Sequence, residues 1–297
     1  MTKTRYIGRF APSPTGPLHL GSLFTALASF LEARSKQGLW ILRIDDLDTA
    51  RNIPGASDAI LRTLEAFGLH WDQHESYQSQ HLAAYSEALR QLTEQNLVYP
   101  CSCSRKILAE YGNGEAESIY PQFCRSKNTL TSSKTALRIK TEASSISFHD
   151  QLQGLITQNL VRQHGDFIIK RKDQIIAYQL AVVIDDQLQN INHVVRGADL
   201  LNSCIKQIYL HQCLNIAPPN YLHVPLITGI NGHKLSKKDF APAVTKQNSH
   251  LTLYNLLKLL NQNPPPELQQ SSAESILTWA IANWNLHNLQ RIRSIAL

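Results

Sequence analysis

A chain of 297 residues with 43% hydrophobic and 18% charged side chains can bury a sizeable core, which excludes an intrinsically disordered protein. No apolar run approaches the ~18 residues of a membrane span, and the N-terminal MTKTRYIGRFAPSP lacks the apolar stretch of a secretory signal, so a soluble, cytoplasmic protein with no membrane partner is expected. A net charge of +6 and a pI near 9.0 favour acidic partners, nucleic acid among them, without selecting one.

RYIGRF reads as a strand. Behind it Leu20, Leu23, Phe24, Leu27, Phe30 and Leu31 recur at spacings of three and four and predict a helix. WILRIDD, from Trp40 to Asp46, reads as a second strand, and ASDAILRTLEAF as a helix stopped at Gly68. SQHLAAYSEALRQL predicts a further amphipathic helix. This alternation predicts an α/β fold, a parallel sheet with crossover helices, its first half over 1–97. From Val98 the texture changes to short, polar, cysteine-bearing segments. TALRIKTE and DFIIKRKDQIIAYQLAVVIDD read as strands outside the alternating rhythm, so 98–189 is expected to be an insertion. The rhythm returns over 190–244, with INHVVRG as a strand, ADLLNSCIKQIYLHQCL as a helix and HVPLITG as a strand. Within 245–297, LTLYNLLKLL and AESILTWAIANW predict helices on either side of NPPP.

The loop from Phe10 to Ser22, FAPSPTGPLHLGS, lies between the first strand and its helix. Ligands of parallel sheets bind at the carboxyl ends of the strands, and a helix N-terminus presents unpaired N–H groups to phosphate. Gly21 would let such a ligand approach the backbone, and His19 could donate to a phosphate oxygen as charge develops on it. The prolines restrict the loop. Read singly, the same residues also fit an ordinary turn and a surface histidine. HKLSKKD, from His233 to Asp239, places three lysines and a serine after a Gly-Ile-Asn-Gly turn; lysine charge suits a leaving pyrophosphate, although a lysine run is also a common solvated face.

Five cysteines, an odd number, argue against a disulfide framework. Cys101-x-Cys103 and Tyr120-x3-Cys124 crowd one short stretch. Three thiolates approach the four ligands of a closed zinc site, but no histidine lies between Cys103 and Cys124. From the residues alone, zinc and a thiol cluster without function stand even. Cys204 and Cys213 fall on a helix face and are expected in the core.

Taken together, these segments resemble a known family. FAPSPTGPLHLGS and KLSKK resemble the "HIGH" and "KMSKS" motifs of class I aminoacyl-tRNA synthetases, in the variants of the glutamyl/glutaminyl subgroup. LRIDDLDTAR resembles that subgroup's Arg-Ile-Glu-Asp-Leu-Asp segment, and AYQLAVVIDDQLQNINHVVRGADLL is similar to its second amino-acid-binding segment. The four motifs stand in order from Arg9 to Lys238. The resemblance implies a Rossmann-like catalytic domain split by an insertion. It implies adenylation, in which L-glutamate attacks ATP accompanied by Mg2+. His19 and Lys237 would stabilise the transition state, with Gly21 and Ser236 also at the ATP. Arg9, Phe10, Ala11, Pro12, Ser13, Asp45, Tyr178 and Arg196 would bind glutamate, Arg9, Tyr178 and Arg196 at its γ-carboxylate and Asp45 at its ammonium. The family usually has glutamate where this chain has Asp45, one methylene shorter.

The Cys-x-Cys…Tyr-x3-Cys pattern is similar to the zinc knuckle of one branch, the glutamyl-Q tRNA(Asp) synthetases. This implies one structural zinc on Cys101, Cys103, Tyr120 and Cys124. The 59 residues after Lys238 suggest a short helical stem-contact segment in place of the large anticodon-binding region of a glutamyl-tRNA synthetase. The resemblance then implies a monomer that transfers glutamate to queuosine in tRNA(Asp). Two alternatives stay open: a compact glutamyl-tRNA synthetase charging a tRNA 3′ end, and a non-catalytic RNA-binding paralogue.

Overall fold

The computed structural model describes residues 4–104, 106–108, 119–127, 134–229 and 244–297. The first three strands are β1 (Ile7–Phe10), β2 (Leu39–Ile44) and β3 (Asp72–Tyr77), linked by α1 (Leu20–Ser35) and α2 (Ala56–Ala66). After α3 (Leu82–Glu94) come β4 (Val98–Cys101), β5 (Ala136–Ile139), the hairpin β6 (Ser145–Asp150) and β7 (Gly154–Asn159), the short α4 (Leu160–Gln163) and β8 (Phe167–Lys170). Then follow α5 (Tyr178–Leu188), β9 (His193–Gly197), α6 (Ser203–Cys213), β10 (Asn220–Val224) and β11 (Leu226–Thr228). The chain closes with α7 (Ser249–Leu259), α8 (Ala273–Asn283) and β12 (Ser294–Ala296).

Seven strands form the main sheet in the order β3-β2-β1-β9-β10-β6-β7. All neighbours run parallel except the β6–β7 hairpin. The fold class expected from the alternation of elements is therefore the one observed. From β1 the chain goes first to β2 and β3 on one side, and only later to β9 and β10 on the other. That reversal opens a crevice at the carboxyl ends of β1 and β9, the usual ligand position in such sheets.

Helix α1 buries Leu23, Phe24, Leu27, Phe30 and Leu31, the face given by their spacing, and also Ala26, Ala28 and Ala33. Its other side is covered by α8, and the indole of Trp284 donates to the buried Glu32 carboxylate at 2.7 Å. Gly68 has φ +70, a left-handed turn that ends α2 where the sequence places a stop.

The structure differs from the sequence reading at three points. AYQLAVVIDD forms the helix α5, not a strand. Packed against α3 and α6, it buries Leu180 through Asp186 without a break, so the helical period is erased and a β-branched run is left to suggest a strand. HVPLITG divides at Pro225 into β10 and β11, and β11 leaves the main sheet to pair with β12. Proline has no N–H for the ladder, which fits a break there. Third, β6, β7 and α5 lie within the stretch 98–189 read as insertion, yet they take places in the main sheet and its helical cover. Standing apart is the antiparallel sheet β4-β5-β8. Among the described residues no helix is long and apolar enough to cross a membrane.

Candidate active site

A cavity of about 460 Å³ opens at the crevice between β1 and β9. Arg9, Phe10, Ala11, Pro12, Ser13, His19, Gly21, Asp45, Tyr178 and Arg196 all line it. Main-chain bonds tie its loop to the scaffold: Asp45 N–H donates to Pro12 O at 3.0 Å, and Ile53 N–H to Pro14 O at 2.9 Å. His19 caps α1. Its Nδ1 accepts from the Ser22 N–H at 3.2 Å, and its Nε2 lies 3.0 Å from the Ser22 hydroxyl. An imidazole accepting at Nδ1 carries its proton on Nε2. Gly21 lies in the first turn of the same helix, so histidine, glycine and helix N-terminus meet at one wall.

Below the cavity lies a buried ionic cluster. Arg43, fully buried, donates through Nε to Asp45 Oδ1 at 2.8 Å and through Nη1 to Asp186 Oδ1 at 2.7 Å. Asp186 also receives Arg9 Nε at 3.2 Å and Nη2 at 3.4 Å. Asp185 stands 3.8 Å from Arg43 Nε and accepts from Gln78 and Tyr85, with His81 Nδ1 also at 2.7 Å. Two guanidiniums thus face three carboxylates. Burial, opposed by Arg43 and reinforced by the charge of Asp185, raises the Asp45 carboxyl to about 6. Asp186 is held below its ordinary range, because Arg9 and Arg43 together outweigh its burial.

Arg196, on β9, is built differently. It is 4% exposed, and no salt bridge to it occurs among the described residues. Nε donates to His223 Nε2 at 3.0 Å, Nη1 to the Tyr178 hydroxyl at 3.2 Å, and Nη2 to Cys204 Sγ at 2.9 Å and the Leu200 carbonyl at 3.4 Å. Its surroundings are therefore neutral groups at the wall of the cavity. An uncompensated buried cation of this kind is suited to an anionic ligand.

The cysteine cluster sits at the end of β4, outside the cavity. The sulfurs of Cys101, Cys103 and Cys124 lie within 4.8 Å of one another, Cys103 and Cys124 at 3.6 Å. The Tyr120 hydroxyl is 3.4 Å from Cys101 Sγ and 3.5 Å from Cys103 Sγ, and it accepts the Cys124 N–H at 3.0 Å. Tetrahedral zinc–sulfur bonds of ~2.3 Å require sulfurs ~3.8 Å apart, close to the Cys103–Cys124 spacing, so the three thiols are a group that could hold one metal ion. The guanidinium of Arg138 lies 3.7 Å above the Tyr120 ring, with Nε 3.3 Å from Cys101 Sγ.

Comparison with known proteins gives the family. The family model for the catalytic domain of class I tRNA synthetases (E and Q) matches residues 6–262. A protein from Thiobacillus denitrificans named glutamyl-Q tRNA(Asp) synthetase is 48% identical over 97% of this chain and 96% of its own length. One of the same name from Ectopseudomonas mendocina is 46% identical over 99% and 98%. The chain belongs to the glutamyl-Q tRNA(Asp) synthetase family of class I tRNA synthetases. In fold it is also like the glutamate-tRNA synthetase of Elizabethkingia anophelis, with a TM-score of 0.81 and 23% identity over 99% of this chain and 68% of that one.

Of the residues singled out in sequence, Ser236 and Lys237 lie outside the described residues. Asp45 reaches both the cavity wall and Arg43. Several members of this site were not foreseen. Arg43, Asp185 and Asp186 carried one signal, charges embedded in apolar strand and helix runs. His223 and Asp150 carried none, because their partners lie 27 and 73 positions away in sequence. Cys204 is buried as expected, but against Arg196 and not only in apolar packing.

Proposed function

We propose that this glutamyl-Q tRNA(Asp) synthetase family member activates L-glutamate with ATP before any tRNA binds, then transfers it to the queuosine base of tRNA(Asp), acting as a monomer. The observation that carries the first half is the polarity of the cavity. At the cavity wall Arg196 has no carboxylate partner among the described residues, while the cluster under Asp45 has a carboxylate in excess. Glutamate offers the complement: Arg196 and the Tyr178 hydroxyl receive the γ-carboxylate, and Asp45 the ammonium. Arg9, already neutralised by Asp186, adds a second donor to the carboxylate end.

So held, the α-carboxylate attacks the α-phosphorus of ATP, a new P–O bond forms, and the bond to the pyrophosphate oxygen breaks. His19, with its proton on Nε2, faces the phosphates from the helix N-terminus, and Lys237 meets the charge that grows on pyrophosphate. Mg2+ bound with ATP would neutralise part of the charge on its phosphates. In transfer, a hydroxyl of the queuosine cyclopentene ring attacks the activated carbonyl, AMP leaves, and an ester results. The naming of near full-length relatives supports this acceptor.

Arg196→Ala is expected to raise the glutamate KM about ten- to a hundredfold, the scale of one lost hydrogen bond to a charged group, with the ATP KM little changed. ATP–pyrophosphate exchange measures both, and an unchanged glutamate KM would remove Arg196 from the pocket. Because Asp45 titrates at about 6, its charge is lost as pH falls through that value. The glutamate KM is therefore expected to rise on acidification below pH 6 and to level off above pH 7. Substitution of Asp45 by Asn should flatten that profile.

The acceptor is tested by supplying labelled glutamate, ATP and Mg2+ with tRNA(Asp) carrying or lacking queuosine, and with tRNA(Glu). Label confined to queuosine-bearing tRNA(Asp) is expected. Label on tRNA(Glu) would make the chain a compact charging enzyme, and no exchange at all would favour a non-catalytic RNA-binding role.

A further inference from the structure

Arg196 does not hold its place alone. His223, fully buried on β10, accepts the Arg196 Nε–H at Nε2, so its own proton resides on Nδ1. That Nδ1–H points at Asp150 Oδ2, 2.6 Å away and also fully buried. The other oxygen, Asp150 Oδ1, accepts the backbone N–H of Leu152 at 3.0 Å and of Gln153 at 2.8 Å. The chain from Asp150 through His223 to Arg196 crosses the sheet from β6 to β10 to β9, strands that neighbour one another. Burial and the adjacent guanidinium keep His223 neutral, and its hydrogen bonds keep Asp150 ionised despite burial.

This chain accounts for the selective use of the guanidinium's donors. Arginine has five N–H groups. His223 takes the Nε–H, Cys204 and Leu200 engage Nη2, and Tyr178 takes one N–H of Nη1. The second Nη1–H takes no partner among the described residues, and Arg196 and Tyr178 both line the cavity. The negative charge that would otherwise neutralise Arg196 is kept one imidazole away, on Asp150. A direct carboxylate partner would fix the guanidinium equally well but would cancel its attraction for a substrate anion.

We propose that Asp150 and His223 form a positioning relay, which fixes Arg196 through a single imidazole tautomer and thereby selects a γ-carboxylate over the neutral amide of glutamine. The inference rests on the glutamate-activating reading above. Neither residue touches substrate; both act through Arg196.

The decisive variant is Asp150→Asn. The Leu152 and Gln153 N–H groups hold an acceptor at the Oδ1 position, so the side-chain amide oxygen stays there and the NH2 turns to His223. His223 must then accept at Nδ1 and carry its proton on Nε2, against the Arg196 Nε–H. The guanidinium is displaced with almost no change in volume. Steady-state exchange is measured with glutamate, glutamine and ATP, alongside thermal melting. Expected are a rise of about tenfold or more in the glutamate KM and a similar fall in the glutamate-to-glutamine ratio, the scale of one charged hydrogen bond, with the ATP KM held within about threefold. Should Asp150→Asn fail to fold, His223→Gln and His223→Leu decide: the glutamine keeps an acceptor for Arg196 and should restore much of the glutamate KM that leucine loses. An unchanged glutamate KM in Asp150→Asn, or equal losses for glutamate and ATP together with a lowered melting temperature, would overturn the relay. So would equal behaviour of His223→Gln and His223→Leu. No glutamate-dependent exchange in the unsubstituted protein would overturn the functional reading first, and the relay with it.

Discussion

Replacing Arg43 by Met is expected to destabilise the protein by about 3–5 kcal/mol, a fall in melting temperature on the order of 10 °C. Arg43 is fully buried and stands within 4 Å of Asp45, Asp185 and Asp186. The native cluster already carries one carboxylate more than its two guanidiniums. Removing Arg43 leaves three buried carboxylates facing Arg9 alone, and Asp45 loses its guanidinium donor. Methionine fills the volume, so the effect reports the charge and not a cavity. The loss should depend on pH. Without the guanidinium, the Asp45 carboxyl, already raised by burial, climbs further above its unfolded value. A raised carboxyl favours the fold at low pH and costs stability as pH rises through its folded value. The deficit relative to wild type is therefore expected to be larger at pH 8 than at pH 5.5, measured by melting at both. A deficit under about 1 kcal/mol at pH 8 would mean that water or relaxation compensates the cluster.

The same cluster marks the limit of what the sequence could convey. The sheet was legible because its strands and crossover helices repeat two periods that local spacing reveals, as in β1, α1 and β2. Helix α5 was not, since burial on both sides removes the polar stripe that defines a helical period. The edge strand β3, DQHESY, went unread for the opposite reason: half exposed at the sheet margin, it has almost no apolar residues to alternate.

Of the site, the residues of the loop and of the resembling segments were legible, and Arg9, Phe10, Ala11, Pro12, Ser13, His19, Gly21, Asp45, Tyr178 and Arg196 are brought to one cavity. What supports them was not. Asp186 bridges Arg9 and Arg43 across 177 and 143 positions, and such pairs leave no local trace. Strand topology alone brings β1, β2 and the buried face of α5 together, and it is topology that decides which charge neutralises which.

The knuckle gives the second large effect. Cys103→Ser is expected to abolish tight zinc binding, from one ion per chain to near none, and to lower the melting temperature of the metal-loaded protein. The cluster joins β4 to the Tyr120–Cys124 turn, and its buried satellite core contains little beyond Tyr99, Cys101, Tyr120 and Cys124. A packed group so small depends on a cross-link more than on apolar burial. Three thiolates and a phenolate would carry two negative charges in excess of a bound Zn2+, and Arg138, against both Cys101 Sγ and the Tyr120 ring, would supply one compensating charge. Tyr120→Phe separates the two roles open to the phenol. If it is the fourth ligand, the variant should yield its zinc to a chelator about ten- to a hundredfold more readily while keeping three thiolates. If affinity is unchanged, the phenol serves only as hydrogen-bond partner to the sulfurs and to the Cys124 N–H, and Arg138 then balances a site of one excess charge, neutral in sum.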